Sequence, residues 1–471
     1  MSSRVLLISA NCYTEPYAVF PLGLAQINAA LRAAGHQTRW VDCLADADPI
    51  ERTIDEFQPQ CVGVSLRNID DVAFKKRETF YGALFDLCAR IRQRSPARII
   101  VGGSGYSLFP ESLLERSGAD FGIHGEGEAG LLALLEALEA GSDHRAIPGL
   151  VHRENGRIRR NPQQPDRLDR PVLTEDRPER LVDFYLARSL MLNAQTQRGC
   201  ALHCCYCAYP LIEGNRHRRR PPELVADELA QLAARGARYV FVVDSVFNSS
   251  PTHVVETCDA ILRRGVTIQW GCFLRPQGLT TELMTLMARA GLKHIEFGSD
   301  SFSDPALQAY HKNLGFEDIR HSAQLASDAK VDHCHFLILG GPGETRDTLA
   351  ETLANARRLP RAVMLPIVGM RVYPGTALHA RALAEGAITP DTDLLEPYHY
   401  IAPGLSEHWI LNRLSDFVRT NPNWIIGEPP PSFLHLVERL RQRGVVGPLW
   451  TYFDMLQRLP VGPTAGSLPV A

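Results

Sequence analysis

The sequence predicts an α/β protein with two successive parallel-sheet domains and a small, mostly helical C-terminal region. Residues 1–145 and 189–385 both alternate short apolar runs with amphipathic helical patterns, which is typical of βαβ units. A polar stretch rich in Arg and Pro separates them at 146–188, and 386–471 carries two short helical patterns before a Pro/Gly-rich tail. At ~100–200 residues per domain, a chain of 471 residues fits this division.

Composition excludes several classes of protein. Hydrophobic residues make up 45% of the chain and charged residues 22%, so the sequence predicts packed cores rather than disorder. The net charge of −3 lacks the basic excess of a protein that coats nucleic acid. No apolar run approaches the ~20 residues that span a bilayer, and the apolar run near residue 5 is too short for a signal peptide. We expect a soluble, cytoplasmic protein without a membrane span or a nucleic-acid partner.

The first 145 residues predict a doubly wound parallel sheet. The expected strands are 5–9, 38–41, 61–65, 98–102 and 120–123, and the expected helices are 21–34, 50–57, 80–94 and 110–116. Ligands bind such sheets beyond the carboxyl ends of the strands. Those ends lie here at 9–12, 65–70 and 101–107.

The polar stretch 146–188 is interpreted as a linker with one hairpin, its arginines lying on the surface. Alternation resumes at 189. The expected strands there are 190–194, 239–243, 267–273, 294–297, 335–339 and 364–372, and the expected helices are 223–234, 253–263, 281–290 and 346–358. Six βα units are too few for a closed eight-stranded barrel and predict a partial one. Two further helices are expected at 406–420 and 432–443.

Cysteine usage points to a metal site. The chain has eleven cysteines, an odd number, and four of them crowd between Cys200 and Cys207. A disulfide framework is typical of small secreted domains, so this pattern favours metal binding in a reducing compartment.

Cys200, Cys204 and Cys207 form a C-x3-C-x2-C pattern directly after an expected strand. Three thiolates at this spacing suit a four-iron cluster in which each holds one iron and the fourth iron stays open. The alternative is a closed zinc site, for which His203 or Cys205 is available as the fourth ligand.

The segment 197–207 resembles the signature of the radical S-adenosylmethionine (SAM) superfamily, C-x3-C-x-aromatic-C, on a partial βα barrel. The resemblance implies a [4Fe–4S] cluster on Cys200, Cys204 and Cys207, whose open iron chelates SAM. It also implies that Tyr206 packs near the adenine and that Cys205 is not a ligand. Since reduction of the cluster cleaves SAM to a 5′-deoxyadenosyl radical, an electron donor such as flavodoxin or ferredoxin is implied as a partner.

Four later segments resemble further motifs of the same superfamily, in the expected order: 241–248, 296–301, 336–344 and 371–376. Each alone has a simpler explanation, since Gly-Gly-Pro-Gly is commonly a turn and Asp244 is a residue type that caps helices. The SAM contacts that the resemblance implies are Tyr206, Asp244, Glu296, Ser299, Asp300, Gly340, Gly341 and Arg371.

A parallel sheet ahead of such a barrel resembles the cobalamin-binding, Rossmann-like arrangement, and segments 20–25, 101–107 and 124–128 resemble its recurring stretches. Glycines at strand ends allow close backbone approach to a flat ligand, although a tight turn explains them equally well. The cobalamin contacts that the resemblance implies are Ser65, Arg67, Asn68, Gly102, Gly103, Ser104, Gly105, Gly125 and Glu126.

The Asp-x-His-x-x-Gly motif of enzymes that ligate cobalt through histidine is absent, so no histidine ligand from that motif is expected. In related enzymes the third-strand end lies under the corrin, which places Arg67 or Asn68 near the lower face of cobalt. The alternative is a surface ion pair of Arg67 with Asp70 or Asp71.

The chain thus resembles the cobalamin-dependent radical SAM enzymes of the methyltransferase-like class B. The resemblance implies transfer of a methyl group from SAM, through cobalamin, to carbon or phosphorus of a small-molecule substrate. The sequence assigns no catalytic residue, and the side chains considered for the pocket are Tyr209, Glu213, Arg275, Tyr310 and Tyr373.

Three alternatives remain open from the sequence. The first is a cobalamin-dependent rearrangement or cyclisation without methyl transfer, and the second is a non-catalytic corrinoid or metal sensor. The third is a methylthiotransferase with a second cluster in the first domain. The cysteines available for that second cluster are Cys12, Cys43, Cys61 and Cys88.

Overall fold

The computed structural model describes residues 2–14, 17–46, 49–71, 78–165, 168, 176–427 and 431–457. Parts of the expected linker, 166–167 and 169–175, lie outside these ranges, as do residues 458–471 of the expected Pro/Gly-rich tail. The earlier part of that tail contains a helix at Leu449–Gln457, which the sequence did not predict. No helix within the described ranges is long and apolar enough to cross a bilayer.

The N-terminal sheet runs in the order β2-β1-β3-β4-β5, all parallel, and continues with the antiparallel strands β6 and β7. Its strands are β1 (Arg4–Ser9), β2 (Gln37–Asp42), β3 (Cys61–Ser65), β4 (Arg98–Gly102), β5 (Phe121–Ile123), β6 (Leu150–Glu154) and β7 (Arg157–Arg160). Its helices are α1 (Leu22–Ala33), α2 (Ile50–Phe57), α3 (Tyr81–Arg94), α4 (Pro110–Ser117) and α5 (Glu128–Ala140). Every strand and helix expected before residue 145 is present, and α5 is an addition.

Helices cover both faces of this sheet. Val5 and Leu7 of β1 join one buried apolar cluster, while Leu6 and Ile8 join another on the opposite face. A parallel strand that is buried on both faces needs an unbroken apolar run, and β1 has one.

The segment 146–188 is more ordered than the expected linker. Its hairpin, β6 and β7, extends the N-terminal sheet, and a helix α6 (Glu179–Ser189) follows. Leu181 and Tyr185 of α6 are fully buried in the core shared with the following domain. The segment looks polar because Arg153, Arg157, Arg159 and Arg160 of the hairpin are exposed, and Arg160 pairs with Glu111 at 3.0 Å. Arg177 is an exception, since it is fully buried and pairs with Glu228.

The second sheet is a parallel partial barrel in the order β15-β14-β13-β12-β11-β8. The strands of this region are β8 (Met191–Ala194), β9 (Gln197–Arg198), β10 (Arg218–Arg219), β11 (Tyr239–Val242), β12 (Gln269–Leu274), β13 (Leu292–Asp300), β14 (Asp332–Leu339), β15 (Ala362–Val368), β16 (Met370–Arg371) and β17 (His399–Tyr400). The six expected strands appear in this sheet, and β9–β10 and β16–β17 form two small antiparallel pairs.

Helices flank the barrel strands and make up most of the described C-terminal region. They are α7 (Tyr209–Glu213), α8 (Pro222–Ala234), α9 (Pro251–Arg264), α10 (Thr281–Arg289), α11 (Asp304–Ala309), α12 (Phe316–Asp328), α13 (Arg346–Ala356), α14 (Ala377–Ala384), α15 (Glu407–Val418), α16 (Pro431–Gln442) and α17 (Leu449–Gln457). Alternate strand residues face these helices or the barrel interior: Val240 packs on the helix side and Phe241 on the interior side.

Buried ion pairs join the two sheets. Arg371, after the last barrel strand, donates through Nε to Asp70 of the N-terminal domain at 2.9 Å. Its other nitrogens donate to the carbonyls of Val372 at 2.9 Å and Leu394 at 2.8 Å. The guanidinium is thus fully engaged by the chain and fixes the sixth barrel strand against the N-terminal domain.

We expect Asp70→Asn to lower the free energy of unfolding by about 3–5 kcal/mol, because it leaves the buried Arg371 guanidinium without a counter-charge. Urea unfolding measures the loss. The matched control is Asp393→Asn, which breaks the exposed pair of Asp393 with Arg116 at 2.7 Å and is expected to cost at most about 1 kcal/mol. Equal losses in the two variants would contradict the prediction.

Candidate functional site

The cysteine loop, residues 199–207, begins at a glycine that no other residue can replace without strain. Gly199 has φ +82°, and a Cβ there would lie 2.1 Å from the carbonyl oxygen of Arg216. The loop is then held by backbone bonds from Cys200 N–H to the Gly214 carbonyl and from Cys207 N–H to the Cys204 carbonyl, both 3.1 Å. These contacts position the three thiols beyond the carboxyl end of β8.

Asp244 anchors the chain just before this loop. Its fully buried carboxylate accepts hydrogen bonds from the N–H groups of Thr196 at 2.7 Å and Gln197 at 3.2 Å, and from the Thr196 hydroxyl. It caps no helix, since Ser250 is the N-cap of α9. The polar residue of this motif therefore holds the strand end in place, and it does not line the cavity described below.

A buried cation lies beside the thiols. Burial raises the pKa of Cys204 and Cys207, the latter to about 12, and the Lys312 ammonium opposes both shifts. Lys312 pairs with Asp300 at 2.7 Å, and the Tyr206 hydroxyl donates to the same carboxylate at 2.6 Å. Lys312 belongs to no recognisable motif, so the sequence did not predict it as a site residue.

Asp300 reaches this position through a distortion at the end of β13. The strand register shifts between Gly298 and Asp300, and Asp300 takes φ +66°. The left-handed conformation costs ~1–2 kcal/mol for a residue with a Cβ. The contacts with Tyr206 and Lys312 offset that cost.

The donor set fits a multi-iron cluster better than a single ion. Within the described ranges, no three His, Cys, Asp or Glu side chains are arranged around one metal ion. Cys205 packs in an apolar cluster, with its N–H bonded to the Tyr310 carbonyl at 3.1 Å, and His203 is exposed. Three thiols that each take a separate iron need not converge on one point.

The glycine turn that follows the fifth barrel strand, β14, packs against Tyr310 and Glu344. The Gly341 N–H donates to the Tyr310 hydroxyl at 3.1 Å, and a Cβ at 341 would lie 2.5 Å from the Tyr310 ring. The Gly340 N–H bonds to the Glu344 carboxylate. Ser299, also predicted at the SAM site, bonds to His335 at 2.7 Å.

A cavity of about 860 Å³ lies between the N-terminal sheet and the barrel. The sequence-predicted residues that line it are Ser65, Arg67, Asn68, Gly102, Gly103, Ser104, Gly125, Glu126, Tyr206, Cys207, Tyr209, Glu213, Arg371 and Tyr373. Those that do not line it are Gly105, Cys200, Cys204, Asp244, Arg275, Glu296, Ser299, Asp300, Tyr310, Gly340 and Gly341. One continuous space therefore joins the carboxyl edges of both sheets to the last cysteine of the loop.

The glycine-rich turn after β4 is packed on the turn after β3. Gly103 has φ +102°, and a Cβ there would lie 2.5 Å from the carbonyl oxygen of Leu66. The Ser104 hydroxyl donates to the Arg67 carbonyl at 2.7 Å. Internal packing alone thus requires a glycine at position 103. The same turn lines the cavity, where its lack of bulky side chains leaves space for a ligand.

Arg67 faces the cavity without a carboxylate partner. Its Nε donates to the Asn68 side chain at 3.2 Å, and it makes no ion pair with any described residue. The expected alternative, a surface pair of Arg67 with Asp70 or Asp71, is absent from the described residues, and Asp70 pairs instead with Arg371. Burial lowers the pKa of Arg67, since the guanidinium is poorly solvated at the cavity wall.

The segment after β5 is tied to the cysteine loop. Arg198, which directly precedes Gly199, pairs with Glu128 at 2.6 Å and with Glu126 at 3.5 Å, all three side chains being buried. Glu213 accepts from the Gly199 N–H at 3.1 Å. Sequence reasoning missed Arg198 as a site residue, although it stands inside the cysteine signature.

Glu296 lies deeper in the barrel, where Trp450 of α17 donates to its Oε1 at 3.0 Å. The side chain is buried, with 7% exposure, and burial raises the pKa of its carboxyl to about 7. Trp450 was not expected at the site, since nothing in the sequence around it forms a motif.

Comparison with known proteins identifies two domains of the chain. Residues 195–356 match the radical SAM superfamily, and residues 9–135 match the B12 binding domain. The chain carries a radical SAM domain and a B12-binding domain. The cavity lies between these two domains.

Similar proteins share this arrangement. A tryptophan 2-C-methyltransferase from Streptomyces laurentii is 25% identical, the match covering 81% of this chain and 74% of the relative. An uncharacterized methyltransferase from Pyrococcus horikoshii is 26% identical, over 78% and 79% of the two chains. The structure of the radical SAM methyltransferase TsrM from Kitasatospora setae, with cobalamin and a [4Fe-4S] cluster bound, matches with a TM-score of 0.85 at 22% identity, over 97% of this chain and 98% of that one. This last match establishes the fold.

Two of the scattered cysteines of the B12-binding domain lie on opposite faces of its sheet. Cys61 lies in the apolar cluster on one face, and Cys88 lies in the cluster on the other face. The sheet separates these two thiols, so a second cluster of the methylthiotransferase kind could use at most one of them.

We expect Cys200→Ala, Cys204→Ala and Cys207→Ala each to lose bound iron, measured after anaerobic purification. The wild type should hold about four irons per chain. The matched control, Cys205→Ala, should keep the iron, because Cys205 packs among apolar side chains. Loss of iron in Cys205→Ala would contradict the assignment of ligands.

Glu296→Gln should change the pH dependence of stability. The folded pKa of about 7 exceeds the ordinary 4.5, so the folded state holds the proton more tightly. The Glu296 carboxyl therefore makes its full contribution to the free energy of unfolding below pH 4.5. That contribution is lost as the pH rises to about 7. Relative to Glu296→Gln, the wild type should lose about 1.4 kcal/mol per pH unit in that window.

Urea unfolding of both proteins at several pH values checks this. The matched control is Glu385→Gln, an exposed acid whose pKa is lowered by a hydrogen bond from Tyr400, so its effect should be constant above pH 4.5. A constant difference between wild type and Glu296→Gln across the same range would refute the prediction.

Proposed function

We propose that this protein transfers a methyl group from SAM, through cobalamin, to carbon or phosphorus of a small molecule. The observation that carries the proposal is the single cavity that joins the unpaired Arg67 of the B12-binding domain to Cys207 of the cysteine loop. The named methyltransferases among the relatives support it.

Cys200, Cys204 and Cys207 would hold the cluster, and Tyr206 and Asp300 would lie beside its SAM. The cobalamin contacts would come from the turns after β3, β4 and β5, where Ser65, Asn68, Gly102, Gly103, Ser104, Gly125 and Glu126 line the cavity. Residues 1–145 would form the cobalamin domain, 146–188 a connecting segment, 189–385 the catalytic barrel and 386–471 its cover. Cobalamin held there would supply a nucleophilic cobalt centre for methyl transfer from SAM to an acceptor.

The chain's own residues orient the reactants. Arg67 presents a guanidinium to the cavity from the third-strand end, where it would face a bound cobalamin, and no histidine among the described residues of the B12-binding domain lines the cavity. Lys312 balances the negative charge of Asp300 and of thiolates beside it. In net terms the acceptor gains a methyl group and releases a proton, and SAM becomes S-adenosylhomocysteine.

The small-molecule substrate fits the relatives, and we propose that an electron donor of the flavodoxin or ferredoxin type reduces the bound groups. A cytoplasmic location is part of the same proposal, because these groups need a reducing compartment.

The test is the content of anaerobically purified protein from cells fed hydroxocobalamin. We expect about one corrinoid and about four irons per chain, and S-adenosylhomocysteine formation once a reductant is added. Arg67→Gln should keep the iron and slow formation of S-adenosylhomocysteine, because the cation at the cavity wall is lost. Four irons without corrinoid would overturn the cobalamin assignment and leave a radical SAM enzyme of another kind.

A further inference from the structure

The cysteine loop has an inner and an outer side. On the inner side, Tyr206 and Cys207 line the cavity between the two domains. On the outer side, Ala201 and His203 are exposed to solvent and do not line the cavity. Each of these two exposed residues is the chain neighbour of a proposed cluster ligand. An electron can therefore enter the loop from solvent without crossing the space where the reactants are expected.

The segment 214–220 lies along the outer side of this loop. Within it, β10 pairs antiparallel with β9, which places Arg219 level with Gln197. Just before β10, the His217 Nε2 accepts a hydrogen bond from the Ala201 N–H at 3.4 Å. These contacts hold the segment beside the exposed residues of the loop.

Four of the five residues 216–220 are arginines, and they divide into two kinds. Arg218 and Arg220 pair with buried carboxylates in the interior. Arg216 and Arg219 are exposed, and neither makes an ion pair with any described residue. Two positive charges thus face solvent next to the cysteine loop.

The charge of Arg219 acts on its neighbours. Burial lowers the pKa of His217, and the Arg219 guanidinium lowers it further. The same two causes, in the same order, lower the pKa of His253 to about 4. A guanidinium that was neutralised by a carboxylate would have little such effect. The potential around Arg219 is therefore positive.

The helix that follows this segment, α8, leaves no acid to cancel that potential, because all three of its acids are paired with arginines. Glu223 pairs with Arg263 and Asp227 with Arg264, both at 2.7 Å. Glu228 is buried in the interior. A basic patch, defined here as Ala201, His203, Arg216 and Arg219, therefore remains.

We propose that this basic patch docks a small acidic electron-transfer protein. The whole chain carries a net charge of −3, so an acidic partner is attracted only where the local charge is positive, and that attraction orients the encounter. Electron-transfer complexes are weak and use small interfaces, which suits a patch of this size. The partner loses one electron and the cluster gains it, with no bond made or broken. The inference rests on the proposed function in taking the three cysteines as ligands of a cluster.

The probe is a bacterial flavodoxin, which is small and acidic. Titration of oxidised flavodoxin into the anaerobically purified, cofactor-loaded protein measures binding by calorimetry. Stopped-flow absorbance measures reduction of the cluster by reduced flavodoxin. In the wild type, we expect the dissociation constant to rise at least about tenfold from low to physiological salt, because ions screen the exposed charges.

The double variant Arg216→Glu/Arg219→Glu should weaken binding at low salt at least about tenfold and slow reduction by flavodoxin to the same extent. Reduction by dithionite, which needs no docking surface, should stay unchanged. Arg216→Gln/Arg219→Gln, which removes the charges without reversing them, should give an intermediate affinity.

The matched control is Arg238→Glu/Arg289→Glu, which changes the net charge equally. Both arginines are exposed and lie at the opposite edge of the barrel, Arg238 directly before β11 and Arg289 at the end of α10. This control should bind flavodoxin within about twofold of the wild type, because its charges lie far from the docking surface.

Four results would each overturn the inference: no binding to the wild type, an equal loss in the control, unchanged reduction of the charge-reversed variant by flavodoxin, or tighter binding of a short RNA oligonucleotide than of flavodoxin. If the charge-reversed variant fails to fold, the glutamine variant decides. A wild type without iron would contradict the proposed function itself. A wild type with iron but without salt-dependent binding would contradict only the docking surface.

Discussion

The Arg371–Asp70 ion pair sets the relation between the two sheets on which the cavity depends. Arg371 follows the last barrel strand, and Asp70 follows the turn after β3 that carries Arg67. A shift of one sheet against the other would leave both charges buried without partners, which costs several kcal/mol. The second bridge, from Arg198 to Glu126 and Glu128, ties the turn after β5 to the start of the cysteine loop. Each bridge therefore joins one edge of the B12-binding domain to one part of the barrel.

Several motif residues hold the backbone in place through hydrogen bonds or close packing. Asp244 accepts from Thr196 and Gln197, and the turn at Gly341 fits closely over Tyr310. Such contacts do not touch a ligand, yet they fix the loops that do. A family signature thus mixes residues that bind with residues that shape the binding loops, and the hydrogen-bond partners distinguish the two groups.

The sequence predicts the five parallel strands of the first sheet and the six barrel strands, with bounds that differ from the observed ones by at most four residues. It does so because each is a short apolar run between polar breaks. It also predicts the cysteine loop, whose spacing is local. It does not predict α6, whose apolar side chains are spread through a polar segment and whose burial depends on the following domain. The sequence does not predict the roles of Lys312, Arg198 and Trp450 either, because these roles arise from contacts with residues that are distant in the chain. Arg371 illustrates the opposite case, because its motif is recognisable but its ion pair is made with Asp70 of the other domain.

The C-terminal region resolves a physical problem of a partial barrel. A barrel that does not close leaves β15 as an edge strand with unpaired backbone groups, which invites aggregation. The segment after α15 covers that edge: the Met364 N–H donates to the Asn423 carbonyl at 2.9 Å, and the Ile425 N–H donates to the Met364 carbonyl at 2.9 Å. From there α17 places Trp450 on Glu296 inside the barrel. Because the C-terminal region covers the edge and also contacts Glu296, changes in this region can alter the barrel interior while the cofactor loops at the opposite end stay the same.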